Sequence, residues 1–178
     1  ILQRSWWLVL ISVFVAVNIS LIYSYFFTTP MYEATARLIV SPNLNNFDQT
    51  KDLASSLATL DKRSIVNTYG EVIKSRQIYE STIEQLDSAP EVFSEYDVSV
   101  VVLPDTNILQ LKVFGPNPEI TAILANSIGQ RAIEYINDLY QVYDIDFLDH
   151  ATSVYEPVEP RPFQDATLAL VIGLVFGV

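Results

Sequence analysis

The chain has 178 residues and a mass of 20.1 kDa; half of its residues are hydrophobic, 17% are charged, and mean hydropathy is +0.27. Its net charge is nonetheless −11, from 21 Asp and Glu against 10 Lys and Arg, and an acidic surface disfavours nucleic acid by repelling phosphate. The absence of Cys excludes a disulfide framework, thiolate-ligated zinc and a thiol nucleophile. The apolar and acidic characters are segregated. All 21 carboxylates and nine of the ten basic residues fall between Glu33 and Asp165, so that interval carries −12 while the ends hold the apolar excess.

Trp6 to Phe27 is a run of 22 residues without a charge. At 1.5 Å per residue a helix of this length reaches ~33 Å, enough for a hydrocarbon core of ~30 Å. Trp6 and Trp7 mark one rim, and Tyr23, Tyr25, Phe26 and Phe27 the other, as interfacial aromatics do. A cleaved signal peptide is the competing interpretation, with Ala34-Thr35-Ala36 as a superficial cleavage site. The apolar run, however, far exceeds a signal h-region of ~7–15 residues.

From Met31 to Ser41 the sequence alternates: Tyr32, Ala34, Ala36, Leu38 and Val40 on one side, Glu33, Thr35 and Arg37 on the other. That period predicts a half-buried strand, ended by Pro42-Asn43. A short helix is predicted over Asp52–Leu60. Asp61 is a candidate cap for a following helix with Ile65, Tyr69, Val72 and Ile73 on one face, and Ser75 caps another with Tyr79, Ile83 and Leu86. Asp87-Ser88-Ala89-Pro90 stops it. Tyr96–Leu103 and Ile108–Phe114, joined by Pro104-Asp105-Thr106-Asn107, read as an antiparallel hairpin.

Gly115-Pro116 then breaks the strand, Asn117 can cap, Pro118 sits at the first helical position and Glu119 lies in the first turn. A stripe through Ile120, Leu124, Ile128, Ala132, Tyr135, Leu139, Tyr143 and Phe147 predicts a helix over 118–148, ~46 Å long if unbroken. Ala151–Tyr155 is a short strand candidate, expected to return beside the first strand. Pro157-Val158-Glu159-Pro160-Arg161-Pro162 favours a stiff extended segment. From Ala166 the chain is apolar to Val178; thirteen residues are too few to span, so a second transmembrane helix is expected to continue beyond Val178, a buried soluble helix being the alternative. Gly173 and Gly177 form a small-xxx-small pair that permits close helix packing.

The expected fold class is α+β: a small mixed sheet in the order β-α-α-β-β-α-β, covered by helices including one long helix and flanked by two transmembrane helices. The expected division is 1–27 for the N-terminal segment and first span, 28–155 for the domain between, 156–165 for the proline-rich segment, and 166–178 for the start of a second span.

No catalytic constellation is legible. His150 is the only His, and no Ser-His-Asp arrangement can be defended around it. Asp144, Asp146, Asp149 and His150 invite a metal reading but lack the Gly and terminal Glu of a calcium loop, and a solvated helix end accounts for them more simply. Glu91 and Glu95 are paired acids, a spacing that does not identify a glycosidase. The five glycines form no phosphate-cradling motif. The stretch is read as non-catalytic, with no cofactor and no metal.

The arrangement resembles the chain length determinant (Wzz-type) family of bacterial polysaccharide co-polymerases. The resemblance rests on the N-terminal span, the YxAxAxL strand (Tyr32, Ala34, Ala36, Leu38) and Ser75-Arg76 on a helix. It also includes the strand–GPNPE–helix junction from Gly115 to Glu119, and the proline segment leading into Leu168, Gly173, Leu174 and Gly177. The short domain resembles the compact branch, which includes membrane adaptors of capsule-type tyrosine kinases.

This resemblance implies a multi-pass plasma-membrane protein with its domain outside, assembled as a ring of identical copies, that helps set the length of an exported polysaccharide. The implied partners are other copies of the chain, a membrane polymerase, the polysaccharide itself, lipids and a cytosolic tyrosine kinase, supplied either after the second span or as a separate protein. The residues singled out are positional: Pro157, Pro160 and Pro162 for domain geometry, Gly173 and Gly177 for span packing, and Tyr32 and Ala34 in the first strand. A ligand-sensing domain of a two-span receptor is the alternative. It calls for an internal pocket, a dimer and a helical exit into the second span.

Overall fold

The computed structural model describes residues 2–42, 64–86, 93–140 and 143–177. In chain order the elements are α1 (Leu2–Phe26), β1 (Tyr32–Pro42), α2 (helical over 64–73), α3 (Arg76–Gln85), β2 (Asp97–Val102), β3 (Ile108–Gly115), α4 (Pro118–Leu139), β4 (Tyr143–Asp149) and α5 (Pro162–Gly177). They form two compact units, Tyr32–Glu156 on one hand and Ile1–Met31 with Pro157–Val178 on the other.

The unit Tyr32–Glu156 is α+β. Its four strands lie in the order β2-β3-β1-β4, and every pairing is antiparallel. The expectation of a mixed sheet is therefore corrected. The β2–β3 hairpin forms where the sequence predicts it, with Asp105 at φ 59° in the tight turn, a left-handed conformation that Asp tolerates. Alternation decides which face is inside. Ala34, Ala36, Leu38 and Val40 of β1 and Leu109, Leu111 and Val113 of β3 are fully buried, whereas Thr35, Lys112 and Gln110 point to the other face.

The helices cover that buried face. Val66, Tyr69 and Ile73 of α2, Ile78 of α3, and Leu124, Ala125, Ile128, Ala132 and Ile136 of α4 complete one core. Ser75 caps α3 by accepting from the Ile78 N–H at 3.4 Å, and Asn117 Oδ1 caps α4 by accepting from the N–H groups of Glu119 (2.9 Å) and Ile120 (3.2 Å). Pro118 opens α4 without forfeiting a helical hydrogen bond.

The expected 118–148 helix is corrected: α4 stops at Leu139, and residues 143–149 are strand β4, paired with β1 from Pro42↔Tyr143 to Arg37↔Asp149. The stripe misleads because Tyr143 and Phe147 fit helical spacing, while Tyr143, Ile145 and Phe147 equally fit a period of two. Pairing satisfies the backbone of β1 along its second edge, which a helix would leave open. The return strand thus lies beside β1, but over Tyr143–Asp149 and not Ala151–Tyr155, which has no regular structure. Asn126 on α4 holds that segment instead, donating to the Ala151 carbonyl (2.9 Å) and accepting from its N–H (2.8 Å). The helix expected over Asp52–Leu60, the Asp61 cap and the stop at Asp87–Pro90 lie outside the described residues.

In the other unit, α1 and α5 pack along each other. Ser12 Oγ donates to the Gly173 carbonyl (3.2 Å), and Ser24 Oγ donates to Asp165 Oδ2 (2.9 Å), so the contacts ascend one helix as they descend the other and the pair is antiparallel. Apolar side chains such as Phe14, Ile19 and Tyr25 of α1 and Val175 of α5 face outward. Among the described residues, no helix qualifies on length and mean hydropathy together as a membrane span.

Candidate functional site

The residues singled out from the sequence fall into two groups. Tyr32 and Ala34 belong to the first strand: Tyr32 is half-buried opposite Gly115, and Ala34 lies in the core opposite Val113. The three prolines and two glycines belong to the α1–α5 unit. Pro157 is exposed, Pro160 follows a cis peptide bond from Glu159, and Pro162 is the first residue of α5. The regular helix thus begins at Pro162, four residues ahead of the apolar run at Ala166 that the sequence marks as its start.

Backbone hydrogen bonds tie the proline segment to the chain leaving α1. The Met31 N–H donates to the Glu159 carbonyl (3.0 Å), and the Val158 N–H donates to the Met31 carbonyl (2.8 Å). Prolines at 157, 160 and 162 cannot donate, so the non-proline residues between them make these bonds. The Arg161 carbonyl accepts from the N–H groups of Gln164 (2.9 Å) and Asp165 (3.1 Å), which starts the helix, and the Arg161 side chain turns back to the Val158 carbonyl (3.1 Å). The segment is a bracket holding the end of one helix beside the start of the other.

At Gly173 the two helices approach closely. A Cβ there would lie 2.8 Å from Val13 Cα, a backbone atom that cannot give way. Gly177 ends α5. Ser24 and Asp165 went unnoticed in the sequence. Ser24 is buried, and Asp165 is the acid in the first turn of α5, where a carboxylate is favoured by the helix dipole. The signal was a hydroxyl in an otherwise apolar run, which alone does not name its partner.

Among the described residues, no chemistry-bearing cluster is assembled. Asp144 and Asp146 lie on β4, Asp149 pairs with Arg37 at 3.5 Å, and His150 stacks on Phe147 with centroids 4.2 Å apart. Among the described residues, no group of acids and His could hold a metal ion. The strongest perturbation is structural: burial first, then Tyr140, Asp144 and Tyr143, pushes Tyr69 from 10.0 up to about 12, and its hydroxyl donates to the Tyr143 carbonyl at 2.9 Å.

Residues 1–86 match the family model of Wzz, chain length determinant protein. The chain is 27% identical over 180 residues to capsular polysaccharide biosynthesis protein CpsC of Streptococcus agalactiae, covering 97% of this chain and 75% of that protein. It is 25% identical over 156 residues to the probable capsular polysaccharide biosynthesis protein YwqC of Bacillus subtilis, covering 85% of this chain and 60% of the relative. Among solved structures, a full-length bacterial polysaccharide co-polymerase shares the fold at a TM-score of 0.52 and 10% identity, over 99% of this chain and 92% of that one. Residues 1–86 are thus similar to the Wzz chain length determinant family, most of the chain is similar to capsular polysaccharide biosynthesis proteins, and its fold is that of a polysaccharide co-polymerase.

Proposed function

We propose that the protein is a membrane-anchored, self-assembling co-polymerase that sets the length of an exported surface polysaccharide without catalysing its synthesis. The observation that carries this reading is the bracket at Met31 and Val158-Glu159, which holds the proline segment and the exit of α1 together. The bracket holds the end of α1 beside the start of α5, as two neighbouring anchors of one chain require. A sensor that transmits through a continuous helical exit has a different junction from the non-helical one between His150 and Arg161.

The membrane part of the proposal rests on sequence. No helix among the described residues is long and apolar enough to cross a membrane, whereas the complete sequence of α1 carries one charge, Arg4, in 25 residues. A helix apolar around its whole circumference is at home in a protein core or in lipid, and the outward Phe14, Ile19 and Tyr25 are largely exposed. Arg4 before the run favours an N-terminus inside, with the acidic domain outside. A ring of identical copies, a polymerase and a cytosolic tyrosine kinase complete the proposal as partners.

Deleting the gene and resolving surface polysaccharide by gel electrophoresis tests the reading. A shifted or broadened length distribution, restored by the full-length gene, is expected; an unchanged distribution overturns it.

A further inference from the structure

The end of α4 at Leu139 and the return of the chain as β4 bring Phe147 and His150 beside α3, and a cleft of about 360 Å³ opens between α3, α4 and the end of β4. Its volume is at the small end of the ~300–1,000 Å³ usual for ligand sites. Gly129 shapes it: a Cβ there would lie 2.6 Å from Phe147 Cζ, so only glycine lets the ring settle onto the helix. Asn126, fully engaged with the Ala151 backbone, fixes a wall.

The lining is distinctive in a chain of net charge −11: among the described residues, no Asp, Glu, Lys or Arg lines it. Gln85 and Ser127 make no side-chain hydrogen bond to protein groups among the described residues, while Gln130 spends an N–H on Glu134 (3.1 Å) and keeps its carbonyl oxygen. Thr82, fully buried beneath the cleft, donates to the Ile78 carbonyl (2.7 Å). The tilted Phe147–His150 pair adds a ring surface.

We infer that this cleft is a subsite for one or two rings of an uncharged saccharide. Neighbouring hydroxyls of a pyranose are each donor and acceptor, which amides and hydroxyls match without a charge, while the ring's C–H face meets Phe147 and His150. An anionic sugar or a charged peptide finds no counter-charge among the described lining residues. The assignment of a saccharide rests on the co-polymerase reading; the cleft and its neutral polar lining do not.

The test uses the full chain in nanodiscs and saturation-transfer NMR. The probes are maltohexaose, cellohexaose, neutral fragments of four to eight sugars from the host cell's own surface polysaccharide, and a hyaluronan hexasaccharide as anionic control. At least one neutral probe is expected to bind and the anionic one not. Ser127→Trp, which fills the cleft, should weaken binding at least tenfold; should that variant unfold, Gln85→Ala with Gln130→Ala on exposed helix faces serves instead, with a several-fold loss expected. Three results overturn the subsite: no binding of any neutral probe, equal binding of hyaluronan, or binding that ignores these variants. A variant that changes the oligomer's native mass also overturns it, by assigning the cleft to contact between copies. If deletion alters polymer length while nothing binds, the co-polymerase reading stands without the subsite; if deletion changes nothing, that reading itself fails.

Discussion

At the residue scale, the close approaches at glycine give the sharpest predictions. A Cβ at Gly115 would overlap the Tyr96 ring, which packs edge-on against Phe93 at a centroid distance of 5.8 Å. Gly115→Ala should therefore lower the thermal transition of the full chain by an amount corresponding to about 1–3 kcal/mol, the usual cost of overpacking. The double variant with Tyr96→Ala should lose the clash component, so the two changes should be strongly non-additive.

Tyr69 gives a pH prediction of definite sign. Its neutral form is favoured in the fold, where burial raises it from 10.0 to about 12. Above pH 10 the unfolded chain releases this proton first, so its contribution is complete below pH 10 and lost as pH rises towards 12. The loss amounts to about 2–3 kcal/mol. Alkaline unfolding should be steeper for the native chain than for Tyr69→Phe, which at neutral pH gives up only the bond to the Tyr143 carbonyl, about 1–2 kcal/mol. Equal alkaline slopes would contradict the role given to burial.

Secondary-structure elements show what a sequence can and cannot carry. β1 was legible because Tyr32 to Val40 alternates over a full strand, and the α4 start was legible because Asn117, Pro118 and Glu119 are three local signals in a row. Asn117→Ala should cost about 1 kcal/mol, read as a shift in urea midpoint at unchanged slope. The α4 end was not legible. No Gly or Pro stands between Leu139 and Tyr143, and Tyr135, Leu139, Tyr143 and Phe147 keep an i, i+4 spacing into a segment that also alternates. The decision belongs to β1, about a hundred residues away, whose edge accepts β4; no local rule sees that partner. The same limit hid the Ser24–Asp165 pair and the saccharide cleft, since both depend on which elements meet. For the helix pair, Gly173→Leu should push α5 from the Val13 backbone. In a chain without Cys, a Ser24→Cys, Asp165→Cys pair should cross-link readily and much less so once Gly173→Leu is added; equal cross-linking would remove Gly173 from the contact.

For the whole molecule, segregation of charge and grease has a structural counterpart. The acidic interval makes the sheet-and-helix unit, and the apolar ends make the α1–α5 unit. In the proposed assembly, the acidity keeps crowded domains soluble and apart. The three prolines lie outside the sheet-and-helix core, so replacing Pro157, Pro160 and Pro162 by Ala should leave the domain's thermal transition in place while altering the polymer.

The most direct measurement of length control is the modal chain length of surface polysaccharide in a deletion strain complemented with the wild-type gene or with this triple variant at equal protein abundance. Length control predicts a defined mode for the wild type and a shifted or lost mode for the variant. Indistinguishable distributions from the empty deletion strain, the wild type and the variant would contradict it.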